Sequence, residues 1–170
     1  MGFPAAHLSA LRDSAALFFD TTATRLRPVT TQNSVGAETR SSWSAVTSAA
    51  LFRKPSTVPK VQASDVGVLA EVADWQCLLA YGADVATKDR MLKGVTTFRG
   101  TYSAGTAYIV GDGVEYSGKF YVCIQAGTGQ TPSTIADSAY WTALQVFEVV
   151  AVNTAQSNKV KTICDLKLVA

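Results

Sequence analysis

The sequence predicts a mainly β protein: a small antiparallel β-barrel or sandwich with short helical additions, interrupted by a small inserted all-β module. Three observations lead there. Lys159 to Val169 alternates polar and apolar residues, the pattern of a half-buried strand with one charged face. Val114-Glu115-Tyr116 and Phe120 to Ile124 are two β-rich runs broken by Ser117-Gly118, a hairpin signal. Removing the intervening stretch joins Asp89–Thr97 to Phe147–Asn153 as strand, tight turn and returning strand. Turn tips tolerate insertions because the strand ends are already close and both cut points are exposed. The expected boundaries are therefore residues 1–97 plus 146–170 for the host and 98–145 for the insert.

Bulk properties narrow the functional classes. At 170 residues, 48% hydrophobic and 16% charged, the chain suits one ordinary domain or two small ones. No apolar run approaches the length that spans a bilayer, and the N-terminus lacks a basic region followed by an apolar core, so a cytosol-like compartment and no membrane are expected. A net charge of +2, with Arg53-Lys54 and Lys60 as the densest basic cluster, is too sparse a stripe for sequence-specific DNA recognition. Cys77, Cys123 and Cys164 are odd in number, lie in apolar strand-like contexts and form no CxxC pair. Buried free thiols are expected rather than a disulfide framework or zinc site.

The elements follow in order. Ala5–Phe19, with apolar residues at Leu8, Leu11, Ala15, Leu17, Phe18 and Phe19, has a spacing compatible with a short amphipathic helix. Thr21–Val29 reads as a strand that Pro28 ends or confines to an edge. Gln32–Trp43, polar and glycine-punctuated, reads as a loop and long hairpin tip, and Trp43–Arg53 recovers β character. Lys54–Gln62 reads as an extended connection, Ala63–Ala73 as helix and Trp75–Tyr81 as a buried strand. Gly82–Thr87 reads as a turn, with a further strand from Lys88. Beyond the insert, Val146–Asn153 and Lys159–Val169 are strands joined by a turn at Thr154–Asn158.

No catalytic constellation emerges, and no cofactor or metal is expected. His7 is the single histidine and lacks a second imidazole or adjacent acid, which suits a solvated helix end. A Ser or Cys nucleophile therefore lacks its base. Asp112, Glu115 and Asp137 are the acids of the insert that a paired-carboxylate reaction would draw on. Gly127-Thr-Gly-Gln lacks the Lys-Ser/Thr of a phosphate loop.

The insert resembles the small carbohydrate-binding modules called chitin-binding type 3. The resemblance rests on Tyr108, Gly111, Asp112, Val114, Tyr116, Gly118, Lys119, Tyr121, Pro132 and Trp141, in the family's order. Phe98 or Tyr102 stands where the family opens with Trp. The resemblance implies glycan binding by aromatic stacking, with Tyr140, Trp141 and Tyr102 the candidates: Tyr140 as the exposed stacker, and Trp141, its partner in the closing pair, expected in the module's core. It also gives Asp112 a structural role, accepting backbone N–H bonds in a turn.

The host region is similar to the head-completion proteins of tailed bacteriophages, the connector or stopper proteins of the neck. The similarity lies in the order of Ala23–Leu26, a polar loop ending near Trp43, Leu51–Arg53, Trp75–Val85, Lys88–Gly94 and Phe147–Val152. Gly82, Asp84, Val85, Asp89, Arg90, Met91 and Gly94 carry its most regular part. It implies a virion protein made in the bacterial cytoplasm and located at the head–tail interface. There it would assemble as a homo-oligomeric ring, sixfold or twelvefold, between portal or adaptor and tail-terminator or tail proteins. Packaged DNA would lie nearby without sequence-specific contact, and a host surface glycan would be a further partner. Gln32, Asn33, Glu38 and Arg40, in the Thr31–Ser42 loop, are candidates for contacts with a neighbouring copy or the channel, equally a solvated hairpin tip. Asp89 and Arg90 are candidates too, or else a turn whose charges are paired locally. A tail-terminator or other tail component, and a host-glycan adhesion protein, are the alternatives.

Overall fold

The computed structural model describes residues 5–54, 75–133, 138–153 and 161–169. The expected helix over Ala63–Ala73, the connection after Lys54 and the turn at Thr154–Asn158 lie outside the described residues. The protein is mainly β, as the alternation predicts, and built largely from antiparallel sheets. Its chain forms two compact units, one from Met1–Thr22, Ser48–Asp89 and Phe147–Val169, the other from Ala23–Thr47 and Arg90–Val146.

The first unit opens with helix α1, Ala5–Ala16, rich in alanine and leaving His7 exposed. The Arg12 guanidinium of this helix lies 4.3 Å from the centre of the Tyr81 ring. The unit's sheet takes the end of β2 (Glu38–Arg53), β3 (Trp75–Ala80), β12 (Lys161–Leu168) and β11 (Val146–Asn153), hydrogen-bonded in that order. Phe147 is fully buried at its centre, with ring centroids 5.6 Å from Phe52 and 5.5 Å from Trp75. On the polar side, Arg53 donates to Gln76 Oε1 at 2.9 Å and Gln76 Nε2 donates to Asp165 at 2.8 Å, tying three strands in register. The turn ahead of Arg90 meets β11: Lys88 N donates to Val149 O at 2.8 Å, and Val149 N donates to Asp89 O at 2.9 Å.

The second unit begins with a β-ribbon. Strand β1, Thr21–Gln32, turns into β2 through residues 33–37 alone. The expected long loop over Gln32–Trp43 is therefore mostly strand. Asn33 supplies the reason, because its Oδ1 accepts the backbone N–H groups of Val35 (3.1 Å) and Ala37 (2.9 Å) and closes the turn tightly. Polarity there reflects exposure of both ribbon faces rather than irregular backbone.

Strand β1 also pairs antiparallel with β4 (Arg90–Lys93), from Ala23↔Lys93 to Leu26↔Arg90. A second sheet in this unit has the order β10-β8-β7-β5, formed by Trp141–Ala143, Lys119–Cys123, Asp112–Tyr116 and Thr97–Thr101. Strand β5 runs parallel to β7. Two-residue strands β6 (Ala107–Tyr108) and β9 (Gly127–Thr128) pair beside it. Leu26, Leu92, Val95, Phe120 and Val146 form one buried cluster, joined by Trp43, Phe98, Val122 and Leu144.

All three cysteines are free and buried, as the sequence predicts. Burial pushes the Cys77 thiol far above its ordinary value, with Cys164 adding to the effect, and raises Cys164 to about 12, with Asp165 and Asp89 adding. Above the ordinary thiol value of 9.0 the unfolded chain releases protons that the folded chain keeps, so stability falls as pH rises. The expected slope is up to about 1.4 kcal/mol per pH unit for each thiol. Denaturant titrations from neutral to strongly alkaline pH should show this extra loss in the parent chain, and its removal in a Cys77→Ala/Cys164→Ala variant.

Candidate functional site

The hairpin of β7 and β8 places the candidate site. Tyr116 pairs with Lys119, so the loop is Ser117-Gly118, and both have positive φ (50° and 76°), the signature of a type I′ turn. Its right-handed twist suits the strands that it joins, and only Gly118 adopts the conformation without steric cost. Alternation then sends Val114, Tyr121 and Cys123 into a second cluster with Tyr108 and Trp141, while Tyr102, Tyr116 and Tyr140 pack around it partly exposed.

Trp141 is the centre of that cluster. Only 2% of its surface is exposed, its ring meets Tyr108 at 5.1 Å and Tyr102 at 6.0 Å edge to face, and its Nε1 donates to Gln130 O at 2.6 Å. A buried indole N–H needs such a partner. Tyr102 stacks on Tyr108 with centroids 5.6 Å apart and planes 20° apart. The Tyr108 hydroxyl accepts Ser103 N at 2.9 Å and donates to Ser103 O. Ser138 sets the approach to the closing pair, its Oγ accepting the backbone N–H groups of Tyr140 and Trp141 at 3.3 and 3.0 Å.

Tyr140, one residue earlier, is only partly buried. Its ring lies so close to Gly127 that a Cβ there would sit 3.2 Å from Cδ1 and Cε1. The backbone of Gly127 thus forms the floor under the ring. Ile124 N donates to Tyr140 O at 2.9 Å, so the exposed Ile124 lies on the backbone directly bonded to Tyr140. A partly exposed tyrosine ring near an exposed aliphatic residue suits the apolar C–H face of a neutral ring.

Two of the three acids named from the sequence, Asp112 and Glu115, have structural partners. Asp112 is buried, accepts Ile109 N at 3.1 Å and lies 3.2 Å from Arg99 Nε, the turn role expected of it. Glu115 accepts Arg40 at 2.8 Å and the Trp43 indole N–H at 2.9 Å. Asp137 lies outside the described residues. No group of three or more His, Cys, Asp or Glu side chains able to hold a metal ion occurs among the described residues.

Residues 101–142 match the model of carbohydrate-binding module family 5/12. This segment is similar to that family. No curated protein and no solved structure matches the chain. The family 5/12-like segment contains every position on which the sequence-level resemblance to carbohydrate-binding modules rests, from Tyr108 to Trp141. It brings Tyr102, Tyr140 and Trp141 together around one aromatic cluster, with Trp141 inside and the two tyrosines partly at the surface.

The other candidate residues are not members of that cluster. Gln32, Asn33 and Glu38 are exposed on the ribbon, while Arg40 reaches from the ribbon to Glu115. Asp89 is buried and its carboxylate accepts Ala86 N at 2.8 Å, a local turn role. Arg90 is half-buried with its guanidinium 5.1 Å from the Trp43 ring.

The pairing of Glu115 with Trp43 was not legible in the sequence. They lie 72 positions apart, and the only trace was a charged residue at the polar position of a strong hairpin. Arg40 on one side of Trp43 (4.4 Å) and Phe120 (5.9 Å, edge to face) complete the contact. Glu115→Ala leaves the buried side of the indole N–H without an acceptor and is expected to destabilise the chain by about 1–3 kcal/mol. Glu115→Gln should retain most of that, because it keeps an acceptor and loses only a half-exposed ion pair. Chemical denaturation of both variants measures the difference.

Proposed function

We propose that this chain binds a polysaccharide through residues 98–145 and that the flanking host residues, 1–97 plus 146–170, form a structural virion protein of a tailed-phage neck. The glycan-binding reading rests on the partly exposed Tyr140 ring, packed close against Gly127 and backbone-bonded to the exposed Ile124, in a segment similar to carbohydrate-binding module family 5/12. Tyr140 stacks on a sugar, Tyr102 contributes a second aromatic edge, and Trp141 supports both from within. Catalysis is no part of this reading.

The insertion reading is supported by the backbone bonds of Lys88 and Asp89 to Val149, the ladder expected where a module interrupts a turn between neighbouring strands. The neck reading is supported by the order of the host motifs and by the exposed ribbon bearing Gln32, Asn33 and Glu38, which offers itself to a neighbouring copy in a ring. In that setting the module sits at the particle periphery and meets a host surface glycan.

Two measurements test these readings separately. Retention on insoluble chitin and on bacterial cell-wall polysaccharide should fall at least about tenfold in Tyr140→Ala with thermal stability nearly unchanged, a loss of about 1.4 kcal/mol of binding. Trp141→Ala should instead unfold the module, costing about 3–5 kcal/mol. Equal retention of the parent and Tyr140→Ala removes Tyr140 from the site. Native mass and electron microscopy address the neck: a ring that copurifies with portal or tail proteins is expected, and a strict monomer absent from virions ends that part of the proposal.

A further inference from the structure

Cys77 and Cys164 lie 87 positions apart in sequence, yet they are direct register partners on antiparallel β3 and β12. Directly opposed residues of an antiparallel pair project to the same face, with Cβ atoms about 4.5–5.5 Å apart. A disulfide requires Cα atoms within about 4.4–6.8 Å and Cβ atoms near 3.5–4.5 Å. Register of this kind satisfies the backbone condition and sets the Cβ atoms at or just beyond the upper end of the Cβ range. A small inward shift of the strands closes the difference and leaves a bond that is comparatively easy to reduce.

The environment sets this pair apart from Cys123. Both thiols are fully buried, between Phe52, the register partner of Cys77, and Val152, the register partner of Cys164. Cys123 faces Trp141 in its own register and donates to Gln125 O at 3.1 Å, so no second sulfur stands opposite it. The odd count that argued against disulfides thus divides into one opposed pair and one solitary thiol.

We propose that Cys77 and Cys164 are a reversible cross-strand redox pair that closes to a disulfide when the protein meets a small-molecule disulfide. One cysteine, as thiolate, attacks the small disulfide, forming a mixed disulfide and expelling one small thiolate. The second cysteine, as thiolate, then attacks the protein sulfur of that mixed disulfide and expels the other. The two cysteines lose two protons and two electrons, and the small disulfide, having gained them, leaves as two thiols. Burial keeps both thiols protonated near neutrality, so exchange is slow in the folded chain and faster when β12 separates transiently from β3.

The test uses the full chain with oxidised glutathione at mildly alkaline pH, in one arm under native conditions and in the other at the denaturant midpoint followed by refolding. N-ethylmaleimide then caps remaining thiols before peptide mapping. A linked Cys77–Cys164 peptide, an intact mass lower by about 2 Da and maleimide on Cys123 alone are expected in at least the second arm. Cys123→Ser should keep the link and Cys164→Ser should abolish it, and dithiothreitol should restore three reactive thiols. The oxidised chain should melt at a higher temperature than the reduced chain, because the crosslink restricts its unfolded state. Links that involve Cys123, links between chains, or three cappable thiols in both arms would overturn the proposal.

Discussion

A buried indole sets the terms for the carbohydrate-binding-like segment. Trp141 lies at the centre of the tyrosine cluster, and its N–H cannot go unpaired at that depth. Its acceptor is Gln130 O, which holds the glycine-rich stretch from Gly127 against the closing strand. With Trp141 directed inward, Tyr140 before it stays at the surface, and Gly127 provides the space beneath its ring. One hydrogen bond thus connects the core to the surface proposed to meet sugar.

The same hairpin serves a second purpose through its other face. Val114 lies in the tyrosine cluster, whereas neighbouring Glu115 reaches Trp43 and Arg40 on the ribbon. Phe120 packs with Leu26, Leu92, Val95 and Val146, while adjacent Tyr121 lies in the tyrosine cluster. Alternation along two short strands accordingly gives each side of the sheet its own apolar cluster. Within the second unit, these side-chain contacts hold the segment to strands outside its own stretch, beyond the two peptide connections that carry it.

Local pattern was legible where it coincided with burial. The Ser117-Gly118 hairpin, the alternation of Lys161–Leu168 and the Trp75–Ala80 strand could be read because turn chemistry and apolar periodicity agreed. The Gln32–Trp43 reading failed for a physical reason. A ribbon exposed on both faces has no apolar side to reveal its period, and its Thr and Ser residues look like loop. The Asn33 turn, which shortens the connection to residues 33–37, acts through side-chain geometry that composition does not express.

The sequence by itself determined the β-rich class, the hairpin with its two-residue turn, the burial of all three cysteines and the carbohydrate-binding-like pattern ending in Tyr140-Trp141. These depend on neighbours within a few positions, where steric preference and side-chain period act directly. Only the tertiary structure decided that Trp43 meets Glu115, that Tyr140 rests on Gly127 and that Cys77 stands opposite Cys164. Such pairings depend on strand register, which many weak contacts across the fold set together and which no short stretch of chain contains.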